Sequence, residues 1–231
     1  MSLLLQIQTV PDSLTNPEIT EKTLSVVDLI TSGGIGGNLV MGALGILSIF
    51  AIYILIERFS AIKKASKEDE NFLKSIQNFV EAKDIEAAKT LCRNTDSPIS
   101  RMIEKGVNRI NKPMTDISAA IENQGKLEVF KMENNLANLA TISGAAPMIG
   151  FLGTVIGMIV AFHEMASAGG NIDVEMLSKG IYTAMTTTVA GLIVGIIAFI
   201  AYNYLVSKVD KVVFMLEAKT TEFLDLLHHN E

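Results

Sequence analysis

The chain has no tryptophan, a single cysteine, five prolines and 6% aromatic residues in 231 positions. One cysteine, Cys92, excludes an internal disulfide. No Walker motif, no GxGxxG fingerprint after a strand and no HExxH occurs, so the usual signatures of nucleotide and zinc-protease sites are missing. The three histidines, His163, His228 and His229, have no metal-ligand spacing to cysteines or carboxylates. The pair near the C-terminus reads as a solvated tail. No metal and no cofactor is expected. A formal net charge of −6 argues against a nucleic-acid partner. The most consequential absence is local: Leu29–Ile56, Asn134–Phe162 and Gly180–Ser207 contain no charged side chain. A helix needs about 20 apolar residues to cross the hydrocarbon core of a bilayer. Each stretch is long enough, so the sequence predicts an all-α integral membrane protein with three transmembrane helices and long cytoplasmic extensions.

The first ten residues, MSLLLQIQTV, carry no positive charge and run into Pro11 and Asp12, unlike a secretory signal. Residues 17–31 pattern as a short amphipathic helix with Leu24, Val27 and Ile30 on one face. Lysine and arginine fix the orientation. Of the nineteen, fourteen lie in residues 57–133 and three follow Ser207; Lys22 and Lys179 are the others. Loops rich in Lys and Arg stay cytoplasmic. The expected organisation is therefore a periplasmic segment (1–38), a first span (39–60), a cytoplasmic helical region (61–133), a second span (134–163), a periplasmic loop (164–179), a third span (180–206) and a cytoplasmic C-terminal helix (207–231). Cys92 then faces a compartment that keeps thiols reduced.

Within the charged region, Phe72, Ile76, Phe79, Val80, Ile85, Ala88 and Leu91 recur at helical spacing, punctuated by Pro98 and Pro113. From an N-cap pair at Thr115–Asp116, a pattern carried by Ile117, Ile121, Leu127 and Phe130 runs on without a breaker. It predicts one helix over about 116–163, roughly 70 Å long. Val209, Val212, Leu216, Phe223 and Leu227 extend a seam beyond the third span. Such stripes need partners, and one chain offers little core to cover them.

The second and third spans are rich in small residues. Gly150, Gly153 and Gly157 follow Pro147 in one; Ala184, Thr188, Gly191, Gly195, Ala198 and Tyr202 form a seam in the other. Gly153–Gly157 and Gly191–Gly195 are GxxxG pairs, which let helix backbones approach closely in lipid. The seams can serve packing within one chain or a multi-subunit ring, and the ring suits seams on both helices better. Hydroxyls cluster beside them. Thr154 and Thr188 fall at matching depth by helix rise, with Thr183, Thr186 and Thr187 nearby. Thr141 and Asn203 match near the inner boundary. A helical threonine can simply bond its own i−4 carbonyl; a ring of such helices would instead enclose a hydroxyl-lined path. No Asp, Glu, Lys, Arg or His lies inside the three uncharged stretches; Glu57 and Arg58 flank the first, and His163 and Glu164 the second. Proton relays through membranes normally use an ionisable side chain, so a proton-conducting assembly needs a carboxylate from another chain.

Two motifs carry a family resemblance. They are Ala146-Pro147-Met148-Ile149-Gly150-Phe151-Leu152-Gly153-Thr154-Val155-Ile156-Gly157 and Thr183-Ala184-Met185-Thr186-Thr187-Thr188-Val189-Ala190-Gly191-Leu192. With Ile56-Glu57-Arg58 and the three-span layout, the chain resembles the ExbB/TolQ/MotA proton-channel family, and ExbB or TolQ rather than the four-span MotA. The resemblance implies a homo-pentameric ring around single spans of an ExbD/TolR-like partner that supplies an aspartate. It implies a TonB-like protein that carries the work to the outer membrane, and residence in the bacterial inner membrane. It places the pore-facing threonines at Thr154 and Thr188 and the family's third-helix asparagine at Asn203. Thr183 stands where many ExbB proteins carry a glutamate, which leaves proton and sodium both open. A TolQ-like envelope-maintenance motor and a passive membrane scaffold are the competing readings; a membrane enzyme lacks any nucleophile or metal site here.

Overall fold

The computed structural model describes residues 35–66, 70–167 and 174–229. The amphipathic helix expected at 17–31 lies outside them. The described residues form seven α-helices: α1 Ile35–Ala65, α2 Glu70–Glu81, α3 Ile85–Asn94, α4 Pro98–Val107, α5 Met114–Glu133, α6 Leu136–Ser167 and α7 Val174–His229. Three helical runs are long and apolar enough to cross a membrane, and they fall on the three uncharged stretches. Their outward side chains, among them Ile46, Ile49, Phe151, Ile159, Ile196 and Phe199, are large, apolar and exposed. In water such a surface would aggregate; in lipid it is solvated.

The spans pack as a three-helix bundle, with α6 and α7 in the most intimate pairing and α1 against both. Helix α7 is 56 residues long, about 84 Å at the helical rise. It leaves the apolar layer and becomes the spine on which the short helices dock. Val209, Val212, Leu216, Phe223 and Leu227 are all buried there, so the seam read in the sequence is filled by this chain itself. Across it lie Phe72, Ile76 and Val80 of α2, Ala88 and Cys92 of α3 and Ile103 and Val107 of α4. Local signals set the short elements. Asp84 caps α3 through Ala87 N–H at 3.0 Å. Ser97 and Ser100 form a reciprocal capping box before Pro98, which sits where its missing N–H costs nothing.

The structure corrects three expectations in the stretch leading to the second span. The helix begins at Met114, with Pro113 as its cap residue and no side-chain cap, not at Thr115–Asp116. It is also two helices rather than one. Asn135 has φ 65°, the left-handed region that asparagine tolerates better than most residues, and it separates α5 from α6. Arg58, itself buried, donates to the Lys131 carbonyl at 2.9 Å. A cation thereby satisfies an orphan carbonyl where α5 ends. Third, Leu127 and Phe130 are exposed, whereas Ile117, Ile121, Gly125, Glu128 and Met132 face inward. The inward register follows from Glu128, which is 2% exposed and held by Arg101 at 2.7 Å, Lys131 at 2.9 Å and Gln124 at 2.8 Å. Pattern reading assigns a carboxylate to the wet face; this one is neutralised by two cations, so the apolar Leu127 and Phe130 rotate outward.

Candidate ion-pathway site

The close approach of α6 and α7 is made by glycines meeting in antiparallel register. A side chain at Gly150 would strike the Thr187 carbonyl at 2.7 Å and Gly191 Cα at 3.0 Å. One at Gly157 would meet Ala184 Cβ at 2.8 Å, and one at Gly195 the ring of Pro147 at 2.6 Å. Gly153 lies against Thr187 and Val40. So Pro147, Gly150, Gly153, Gly157, Gly191 and Gly195 all lie at one interface, between two helices of one chain. The small seams are therefore used within the protomer, and they no longer argue for a ring. Pro147 sits inside α6 without ending it. Its ring occupies the space that the absent Gly195 side chain leaves.

Each hydroxyl of the threonine cluster spends its proton on a backbone carbonyl. Thr141 donates to Ala137, Thr183 to Lys179 and Thr186 to Tyr182, all i−4 bonds of 2.9–3.0 Å. Thr154 donates to Phe151 at 2.5 Å, and Asn203 Nδ2 to Phe199 at 2.8 Å. Thr188 crosses to the other helix and donates to the Gly150 carbonyl at 3.1 Å. Thr187 donates to the Ala184 carbonyl of its own helix at 2.7 Å, with the Gly150 carbonyl further off at 3.2 Å. Gly150 is one turn before Thr154, so the Thr188 bond sets that residue within about one turn of Thr154 along the bundle. With their protons committed, the hydroxyl oxygens of Thr154 and Thr188, neither fully buried, keep lone pairs for accepting. They are acceptors, suited to a cation, a hydronium or the donor side of a water.

The residues separate by environment. Thr187 is fully buried beneath Gly153, a packing position rather than the lining position expected for it. Thr154 and Thr188 are half-buried. Thr154 opens on a hollow with Val155, Met158, Ile159 and Phe162. Thr183 lies in a separate cleft of about 610 Å³ between α1, α6 and α7, whose polar lining includes Glu164 and Lys179. Thr141 and Asn203 are exposed toward the charged end, and no hydrogen bond joins them. Among the described residues, no group of three His, Cys, Asp or Glu could hold a metal. Sequence reading missed the Glu164–Lys179 cleft, because Glu164, Lys179 and the α1 glycines Gly36 and Gly37 that complete it lie outside the two motifs. It also missed the charges around Glu128; the available signal was the inward spacing of Ile121, Gly125, Glu128 and Met132.

Three spans joined through glycine contacts, with hydroxyls as their polar groups and a charged helical domain on the spine of the third, define a multi-pass membrane protein with a polar seam. Residues 94–218, more than half of the chain, match the MotA/TolQ/ExbB proton channel family, and the chain belongs to that family. It is similar to a biopolymer transport ExbB homologue of Methanothermobacter thermautotrophicus, 26% identical over 187 residues, covering 80% of this chain and 64% of the relative. It is similar to the biopolymer transport protein ExbB of Helicobacter pylori, 40% identical over 79 residues, covering 34% of this chain and 54% of the relative. The Tol-Pal system protein TolQ of Pseudomonas aeruginosa is 24% identical over 223 residues, 92% of this chain and 96% of that one. The chain thus spans less than two thirds of the length of the first two.

Proposed function

We propose that this chain is the ring-forming subunit of an inner-membrane motor of the ExbB type, driven by the proton-motive force. Five copies surround the single spans of an ExbD/TolR-like partner. The partner's aspartate loads and unloads a proton beside Thr154 and Thr188, and a TonB-like protein carries the resulting work to the outer membrane. The charged domain is cytoplasmic and the 164–179 connection periplasmic, following the lysine and arginine distribution.

The observation that carries this reading is the pairing of Thr154 with Thr188 in apolar stretches that hold no Asp, Glu, Lys, Arg or His. Two hydroxyl oxygens, oriented by the Phe151 and Gly150 carbonyls, can stabilise a passing cation but cannot store a proton, so the titrating group comes from outside the chain. A second reading, a TolQ-like envelope-maintenance motor, is favoured by the nearly end-to-end alignment with TolQ. Thr183, standing where many ExbB proteins have a carboxylate, leaves sodium open as the alternative ion.

The test is a set of variants co-expressed with an ExbD/TolR-like single-span partner. Thr154→Val and Thr188→Val are expected to abolish transduction while the complex keeps its native mass, and Thr188→Ser to retain it. Thr187→Val loses its bond to Ala184 but sits away from the path, so it is expected to weaken the protein without abolishing flux. Full activity of the Thr154→Val/Thr188→Val double variant would reject the pore role and leave the scaffold.

A further inference from the structure

Where α1 and α7 leave the apolar layer they do not close on each other. A groove of about 800 Å³ opens between them. Phe59 and Tyr204 form its apolar wall, and Lys63 and Lys64 of α1 face Lys208 and Lys211 of α7 across it. The two aromatic rings stack with centroids 6.3 Å apart, and Lys208 Nζ lies 5.4 Å from the Tyr204 ring centre. Both rings are more than 40% exposed. Lys64 is committed to Asp96 at 2.6 Å, and Asp96 also takes Arg101. Lys63, Lys208 and Lys211 have no acidic partner among the described residues. Three ammonium groups from helices far apart in sequence thus converge on one opening, and no described residue neutralises them.

The depth of the groove identifies its occupant. The uncharged stretch of α1 ends at Ile56 and that of α7 at Ser207. Lys208 follows at once, and Lys63 lies roughly 10 Å further along α1 by helix rise. The polar layer of one leaflet is about 5–8 Å thick, and a lysine stem can lie back along apolar surface to bring its head into that layer. The aromatic wall occupies the level at which Tyr and Phe meet the acyl boundary. A soluble anion would need the lysines but leave the stacked rings uncovered. A phospholipid satisfies both, with its phosphate among the lysines and its chains on the rings.

We propose that this groove is a binding site for one anionic phospholipid of the leaflet on the charged-domain side, its phosphate held by Lys63, Lys208 and Lys211 and its acyl chains covering Phe59 and Tyr204. The inference rests on the chain being membrane-embedded, not on motor activity. By bridging α1 and α7 at the end of the spans, the lipid would tie the bundle to the charged domain in anionic membranes.

The experiment uses the full chain, purified and delipidated, in nanodiscs of phosphatidylcholine doped with fluorescent phosphatidylglycerol or fluorescent phosphatidylcholine. Saturable binding of phosphatidylglycerol, weakened by salt, with none for the phosphatidylcholine probe, is expected. The triple variant Lys63→Gln/Lys208→Gln/Lys211→Gln should lower phosphatidylglycerol affinity by about a hundredfold at low salt, roughly fivefold per lysine. A control lacking three exposed lysines elsewhere, Lys74→Gln/Lys105→Gln/Lys112→Gln, should bind as the parent does. Should the triple variant fail to fold, Lys63→Gln and Lys211→Gln singly give the same reading. Equal binding of the two lipids, an equal loss in the control, or displacement of the lipid by millimolar inorganic phosphate would overturn the proposal; the last result would make the groove a soluble-anion site.

Discussion

Substituting Gly191 with alanine adds one methyl group where the backbones of α6 and α7 meet directly. That carbon would lie 2.6 Å from the Ala146 carbonyl oxygen, 2.9 Å from Gly150 Cα and 3.1 Å from Gly150 N. All three are backbone atoms, so no side chain can swing aside. Reaching an ordinary contact near 3.4 Å needs the helices to part by about 0.8 Å along that line. Overpacking of this kind costs about 1–3 kcal/mol. Parting the helices also strains the Thr188 bond to Gly150, worth about 0.6 kcal/mol in a membrane. Alanine gains roughly 1 kcal/mol of helix propensity over glycine, so the comparison must cancel that gain. Gly45→Ala and Gly144→Ala do so, since an added carbon there meets nothing within 4 Å. Gly191→Ala is expected to be about 2–4 kcal/mol less stable than either control. The assay is loss of helical circular dichroism on titrating dodecylmaltoside micelles with sodium dodecyl sulfate. A Gly191→Ala midpoint equal to or above those of both controls would refute the antiparallel glycine contact.

Other consequences can be checked on the same protein. Glu128→Gln leaves Arg101 without its buried anion and is expected to cost about 1–3 kcal/mol, below the full value for a buried pair because Arg101 and Lys131 are partly exposed. Burial opposes ionisation of Glu128, but the hydrogen bonds from Arg101 and Lys131 outweigh it and hold the carboxyl below its ordinary range. Its contribution is therefore full above about pH 4.3 and is lost as the pH falls through the lower folded value; acid titration of the variant should lack that loss. Burial, then the charge of Glu104, pushes the Cys92 thiol up to about 12, so iodoacetamide at pH 8 should label it at least about 100-fold more slowly than a free peptide cysteine. The same raised value stabilises the fold below about pH 8.5 and fades as the pH climbs toward 12. Asn135→Val forces a β-branched residue into the left-handed region and should cost about 1–2 kcal/mol, whereas Asn135→Gly should be tolerated; thermal unfolding of the two variants tests this.

The three spans were legible because uncharged runs of this length have one solution in a lipid-bounded chain. So was the α7 seam, where Val209 through Leu227 keep helical spacing and are buried. Periodicity could not decide which face of α5 turns inward. It ranks Leu127 and Phe130 above Glu128, and only Arg101, brought over from α4 by tertiary packing to join Lys131 one turn on, reverses that order. The break at Asn135 was hidden for a related reason: asparagine is an ordinary helix residue until the chain must turn, and Arg58 from α1 helps to hold that turn. The small-residue seams were visible, but their partner was not. Gly150 and Gly191 would look alike facing a second copy or facing each other. At the site, Thr154 and Thr188 were readable from depth and motif. The bonding of Thr187 beneath Gly153 was not, because adjacent threonines on a helix differ by 100° of rotation that only the partner helix resolves.

The central claim is that this chain supplies an oriented hydroxyl lining and another polypeptide supplies the charge. The most direct measurement is proton uptake into proteoliposomes carrying an imposed membrane potential, with this chain alone and with an ExbD/TolR-like, aspartate-bearing single-span partner. No flux above empty vesicles is predicted for the chain alone, and flux that depends on Thr154, Thr188 and the partner's carboxylate is predicted for the complex. Equal flux with and without the partner would contradict the account.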